Sequence, residues 1–82
     1  MWPMREQTRE RASRFRDALI DLYVEWREEC AAVQSAYERW RAAPRDDGAV
    51  AFAAYRAALD REERASNAYA ALARRVSPAP RP

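Results

Sequence analysis

From Met4 to Ala43 the chain contains no proline and no glycine, and its large apolar residues recur three or four positions apart: Phe15, Leu19, Leu22, Trp26, Cys30, Val33, Tyr37 and Trp40. Residues at that spacing fall on one side of an α-helix, so the pattern predicts a single long amphipathic helix. At 1.5 Å per residue, a helix over residues 4–43 is roughly 60 Å long. Pro3 suits its first turn, because a proline there gives up an N–H that has no partner anyway. Pro44 stops it.

A second stripe follows the only glycine, Gly48: Phe52, Tyr55, Leu59, Tyr69, Leu72 and Val76. Asp46 or Asp47 is expected to cap this helix by accepting from its free N–H groups, and Arg74 and Arg75 complement the dipole in its last turn. The expected elements are a helix over about 4–43, a turn at 44–47, a helix over about 47–76 and a Pro-rich, extended tail at 77–82, together one domain over residues 1–82. A connection this short forces an all-α antiparallel hairpin. Trp40 should lie near Phe52, Val33 near Leu59, Leu22 near Tyr69 or Ala70, and Phe15 near Val76. Residues 4–14 then overhang.

A chain of 82 residues buries only about 60% of the surface its unfolded form exposes, so an isolated hairpin is marginal. The single cysteine, Cys30, cannot form an internal disulfide, and with no histidine there is no zinc framework. Association is the remaining source of burial. The apolar positions of the first helix spread over roughly 160°, wider than one contact covers. The alanines of the second helix (Ala51, Ala54, Ala58, Ala65, Ala73) flank its larger apolar residues, so close helix approach is expected, with aromatics of the first helix filling the space over small partners. Ile20, Tyr23, Cys30 and the Ala-rich edge of the second helix are still expected to remain partly exposed. A homodimer forming a four-helix bundle is the simplest way to close such a patch, with a different protein as the other possible source of helices. The expected interface residues are Leu19, Ile20, Leu22, Tyr23, Trp26, Cys30, Val33, Tyr37, Leu59, Glu62 and Tyr69.

Glu62 and Ser66 sit inside the second stripe, where apolar residues belong. A carboxylate there must be hydrogen-bonded, paired or protonated. Its candidate donors are a Tyr hydroxyl, a Trp N–H or Arg27, fixing register in an alanine-rich interface. A weaker alternative makes Glu29 and Glu62, doubled by a dimer axis, an oxygen-only Mg or Ca site. Helical di-iron sites use Glu-x-x-His, and here Ala65 follows Glu62 by three residues.

Every basic residue is an arginine, alongside nineteen alanines, a composition that a high-GC genome, bacterial for example, produces without selection on ligand. The formal net charge of +2 is far below that of a dedicated nucleic-acid binder. Arg5, Arg9, Arg14, Arg74 and Arg75 nevertheless converge, with Arg11, Arg16 and Arg81, at one pole as candidate anion-binding groups. Asp17, Asp21, Glu25 and Glu28 form an acidic ridge, and antiparallel pairing brings Asp17 toward Arg75 and Glu28 toward Arg64. Trp2 stands outside the hairpin as a staple or partner contact.

No serine has a paired base, and acidic neighbours disfavour a thiolate at Cys30. No catalytic residue, cofactor or membrane span is therefore expected, and the chain reads as cytoplasmic. The architecture is similar to that of the Trp-x-Gly secretion-system substrates, which are also short helical hairpins. Their turn motif is absent: Trp40 is followed by Arg41, Ala42 and Ala43, and Tyr69 is followed at four residues by Ala73 instead of an acid. The function expected from the residues is a non-enzymatic protein–protein interaction module that self-associates through apolar helix faces and docks another protein through the acidic ridge or leftover apolar surface. The alternatives are a nucleic-acid-associated accessory factor using the arginine pole and, more weakly, a carboxylate metal-binding bundle.

Overall fold

The computed structural model describes residues 4–76, with side-chain surroundings for 8–75. Helix α1 runs Met4–Ala42 and helix α2 runs Gly48–Val76, packed against each other as a hairpin. The tail 77–82 with Arg81, the residue Trp2, and the side chains of Arg5 and Val76 lie outside the described residues.

The turn is a backbone device. Ala43 donates to the Trp40 carbonyl at 3.2 Å, tightening the last turn of α1. Pro44 is extended (φ −59°, ψ 157°) and redirects the chain, and a single 3-10 turn, Arg45–Asp47, leads into α2. Asp47 donates its own N–H to the Pro44 carbonyl at 2.9 Å. The carboxylate cap expected of Asp46 or Asp47 does not form: both residues are part of the 3-10 turn and are exposed. They still place negative charge at the positive end of α2. Gly48 has an ordinary right-handed helical conformation (φ −59°, ψ −41°), so no special backbone geometry requires a glycine there.

The seam between the helices has a strict seven-residue period. On α1 the less exposed residues include Phe15, Leu19, Leu22, Trp26, Glu29, Val33, Ala36 and Trp40, and Ala43 just past its end continues the series, spaced alternately four and three. On α2 they include Gly48, Ala51, Tyr55, Ala58, Glu62, Ala65, Tyr69 and Leu72, spaced alternately three and four. This is the period that keeps one face of a helix against a partner over many turns. Cys30 and Ala32 on α1, and Ser66, Ala70 and Ala73 on α2, are also half-buried along its margins.

This seam corrects the apolar stripes drawn from the sequence. The Ala-rich edge of α2, expected to be partly exposed, contains the most buried position, Ala58, at 1% exposure. It is matched on α1 by Ala36 at 3%. Small residues allow close backbone approach, and the large rings are displaced to either end of the contact. Tyr37, Phe52 and Leu59 are accordingly exposed, and among the described residues no large side chain is fully buried.

Candidate functional site

Two aromatic clusters bracket the middle of the hairpin. Toward its open end, Trp26 stacks on Tyr69 (centroids 5.7 Å apart, planes at 19°), and Tyr23 packs its ring against both. Toward the turn, Trp40 stacks on Tyr55 (5.5 Å, 13°) and meets Phe52 at 4.9 Å, while Tyr37 packs against Trp40 and Tyr55. The clusters repeat at an interval of fourteen residues on both helices: Tyr23, Trp26 and Tyr37, Trp40 on α1, Tyr55 and Tyr69 on α2. Two heptads separate them, so both face the same way.

Tyr23, Cys30 and Tyr37 each follow a seam residue (Leu22, Glu29, Ala36) by one position. On α2, Phe52, Leu59, Ser66 and Ala73 do the same after Ala51, Ala58, Ala65 and Leu72. In an antiparallel pair, a two-fold normal to the hairpin relates the helices and keeps equivalent positions on one side. These residues therefore form one continuous face, with Tyr23 45% and Leu59 38% exposed. Ile20, 60% exposed, extends it along the outer edge of α1. Val24 and Val50, also exposed, point elsewhere.

Of the expected interface residues, Leu19, Leu22, Trp26, Val33, Glu62 and Tyr69 form the seam, Ile20, Tyr23, Tyr37 and Leu59 stand on the open face, and Cys30 is a half-buried free thiol on its margin.

Glu62 accepts a hydrogen bond from the Trp26 indole, Nε1 to Oε2 2.7 Å. Of the three donors considered from the sequence, the structure uses the indole. Glu29 is engaged by Arg61, Nε to Oε1 3.5 Å. The two candidate metal ligands are thus held by separate donors, and among the described residues no group of three or more His, Cys, Asp or Glu is placed to surround an ion. Ser66 does not join the Glu62 carboxylate; its hydroxyl donates to the backbone carbonyl of Glu63 at 3.0 Å.

On the opposite side of the seam, Glu25, Glu29, Arg61, Arg64, Ala65 and Ala68 line an open groove of about 330 Å³. The ion pairs expected from the ridge are not the ones found. Among the described residues the pair is Arg61 with Glu29. Arg75, instead of reaching Asp17, places its guanidinium 5.5 Å from the Phe15 ring centroid. Arg64 lines the groove instead of pairing with Glu28. A guanidinium over a ring keeps its hydration while covering apolar surface, which an exposed ion pair does not do.

At the open end, Arg11 and Arg14 flank a second groove of about 280 Å³, floored by Phe15, Ala18 and Leu72. Arg9, Arg14, Arg74 and Arg75 are all exposed there. No helix among the described residues is long and apolar enough to cross a membrane.

The fold and its open face define a class, an antiparallel two-helix hairpin with a heptad seam and one unsatisfied aromatic side. Comparison with protein-family models, curated proteins and solved structures finds no match for this chain.

Proposed function

We propose that this chain is a non-enzymatic protein–protein interaction module that self-associates through its aromatic face into a four-helix bundle. The observation that carries this reading is the half-exposed row of Tyr23, Tyr37, Phe52 and Leu59 above a seam in which the fully buried residues are two alanines. A contiguous apolar face on a small domain marks an interaction surface. Total surface supports the same reading. The chain exposes 7076 Å², against about 5,000 Å² for a globular monomer of its mass. Its radius of gyration is 19.1 Å, against about 12 Å for a compact domain of this length.

Light scattering across a concentration series tests the reading. A molar mass near twice 9.5 kDa supports it, and a folded monomer at every concentration overturns it.

A second reading, anion or nucleic-acid binding at the open end, is favoured by the arginines around the Phe15 groove. It requires retention on a polyanion that falls steeply with salt.

A further inference from the structure

We propose that α1 carries a second docking surface, on the side of the seam away from the aromatic face, and that its occupant is α1 of another copy laid antiparallel, with Arg14 against Glu25 and Arg11 against Glu28. This contact is separate from the aromatic face and does not depend on it.

The surface is a strip of six residues on α1: Arg11, Arg14, Ala18, Asp21, Glu25 and Glu28, spaced alternately three and four and all exposed. Such spacing keeps them on one line along the helix. Ala18 and Glu25 each precede a seam residue (Leu19, Trp26) by one position, whereas Tyr23 and Cys30 of the aromatic face each follow one. Glu25 accordingly lines the groove on the opposite side of the seam.

Charge on this line is segregated. Its first two members are arginines, its last three are acids, and Ala18 stands between them. Each block is unfavourable for the helix that carries it, because like charges three or four residues apart repel. The hairpin relieves neither block. Among the described residues the ion pair is Arg61 with Glu29, and both lie off the strip. Arg64 shares the groove with Glu25 without closing a pair, and Arg75 is drawn onto the ring of Phe15, a seam residue.

A second α1 relieves both blocks at once. With a two-fold axis between Ala18 and Asp21, Arg11 meets Glu28, Arg14 meets Glu25 and Ala18 meets Asp21, the numbers in each pair adding to 39. A two-fold repeats every pair, so four opposite-charge contacts form and no strip charge meets its like. Other registers do worse. A shift of one heptad sets Asp21 against Glu25, and the reverse shift leaves Arg14 against Ala18. Parallel helices in register would set each charge against itself. Complementarity of this kind fixes orientation and register.

Sedimentation equilibrium at low and high salt reads the two surfaces separately. The range of charge attraction falls from about 10 Å at 0.1 M salt to about 3 Å at 1 M, while apolar burial persists. The mass at high salt therefore reports the aromatic face, and a rise in mass on moving to low salt reports the strip. That rise is the expected result, the strip contact weakening roughly tenfold or more between the two salts. Arg14→Glu and Glu25→Arg, each at an exposed position off the seam, should each abolish it, with circular dichroism confirming that the variants remain helical. An equimolar mixture of the two variants should restore it, because in a mixed pair each copy supplies the charge that the other has lost. No rise in the parent, a rise that survives both reversals, or one that the mixture fails to restore overturns the strip contact and leaves the aromatic face standing. A parent that is monomeric at high salt overturns the aromatic-face reading, and the rise at low salt still decides the strip.

Discussion

The Trp26 indole N–H and the Glu62 carboxylate, thirty-six residues apart in sequence, are joined by a 2.7 Å hydrogen bond across the two helices. The bond is what makes a carboxylate tolerable at a seam position flanked by Ala58 and Ala65. It also fixes register, because alanine layers alone resist sliding weakly, whereas a ring donor aimed at one acceptor does not. Trp26→Phe keeps the apolar ring but leaves Glu62 without its donor. We expect a loss of about 1–2 kcal/mol, or roughly 5–15 °C in melting temperature for a domain of this size. Replacing both partners, as Trp26→Phe with Glu62→Leu, should recover most of that loss, since an apolar pair has nothing to leave unsatisfied. A thermal double-mutant cycle measures this, and strictly additive losses would show that the bond contributes nothing.

Gly48→Ala should stabilise the chain. The glycine has helical dihedrals, and a Cβ built there meets nothing within 4 Å. Alanine would reduce the freedom of the unfolded chain without strain in the folded one, a gain of about 0.4–1 kcal/mol. Urea melts should show a higher midpoint with an unchanged slope, and a lower midpoint would mean that the turn needs the glycine for another reason.

Ala58→Leu should be among the most damaging single changes available. Ala58 is 1% exposed where the helices approach closely, and added methylenes must push the helices apart or leave their rotamers, at about 1–3 kcal/mol or more. Ala54→Leu, at an exposed position four residues earlier on the same helix, serves as the control and should be nearly neutral. Equal melting temperatures for the two variants would contradict the seam described above.

That contrast also shows how much of the structure was legible in the sequence. The helices, the break at Pro44 and the Trp40–Phe52 contact follow from periodicity and proline chemistry, because local rules decide them. The seam itself is harder to read. A search for large apolar residues selects Tyr37 and Leu59, yet the buried positions are their neighbours Ala36 and Ala58, since closeness of backbones outweighs size of side chain. The alternating four-and-three spacing of Ala36, Ala43, Ala51, Ala58 and Ala65 with the ring residues was the available signal. Glu62 stood out as an anomaly, but its donor was decided by three-dimensional reach. The ion pairs of the acidic ridge could not be read from height alone, because Arg75 and Arg64 find surroundings other than Asp17 and Glu28.

Arg61→Ala should barely change stability. The Arg61–Glu29 pair is long for an ion pair at 3.5 Å, and the arginine side chain is 47% exposed. Such pairs contribute roughly 0–1 kcal/mol and less as salt rises. A melt in low and high salt checks this; a loss of several degrees that persists at high salt would show that the groove is a structural element and not a solvated margin.

The aromatic face makes the last prediction, because it separates folding from association. Leu59→Ser removes an exposed apolar group one position from the seam, so helicity should be retained while the molar mass at a given concentration falls toward that of one chain. Val24→Ser is the matched control. Val24 is as exposed as the residues of the face but sits on the side of α1 turned away from α2, two positions past Leu22. It should leave the mass unchanged. If surface hydrophobicity in general drives association, both variants shift the mass alike, and the face has no special standing. If the face is the interface, only Leu59→Ser shifts it, by an amount set by the apolar area it removes, at about 25 cal/mol per Å².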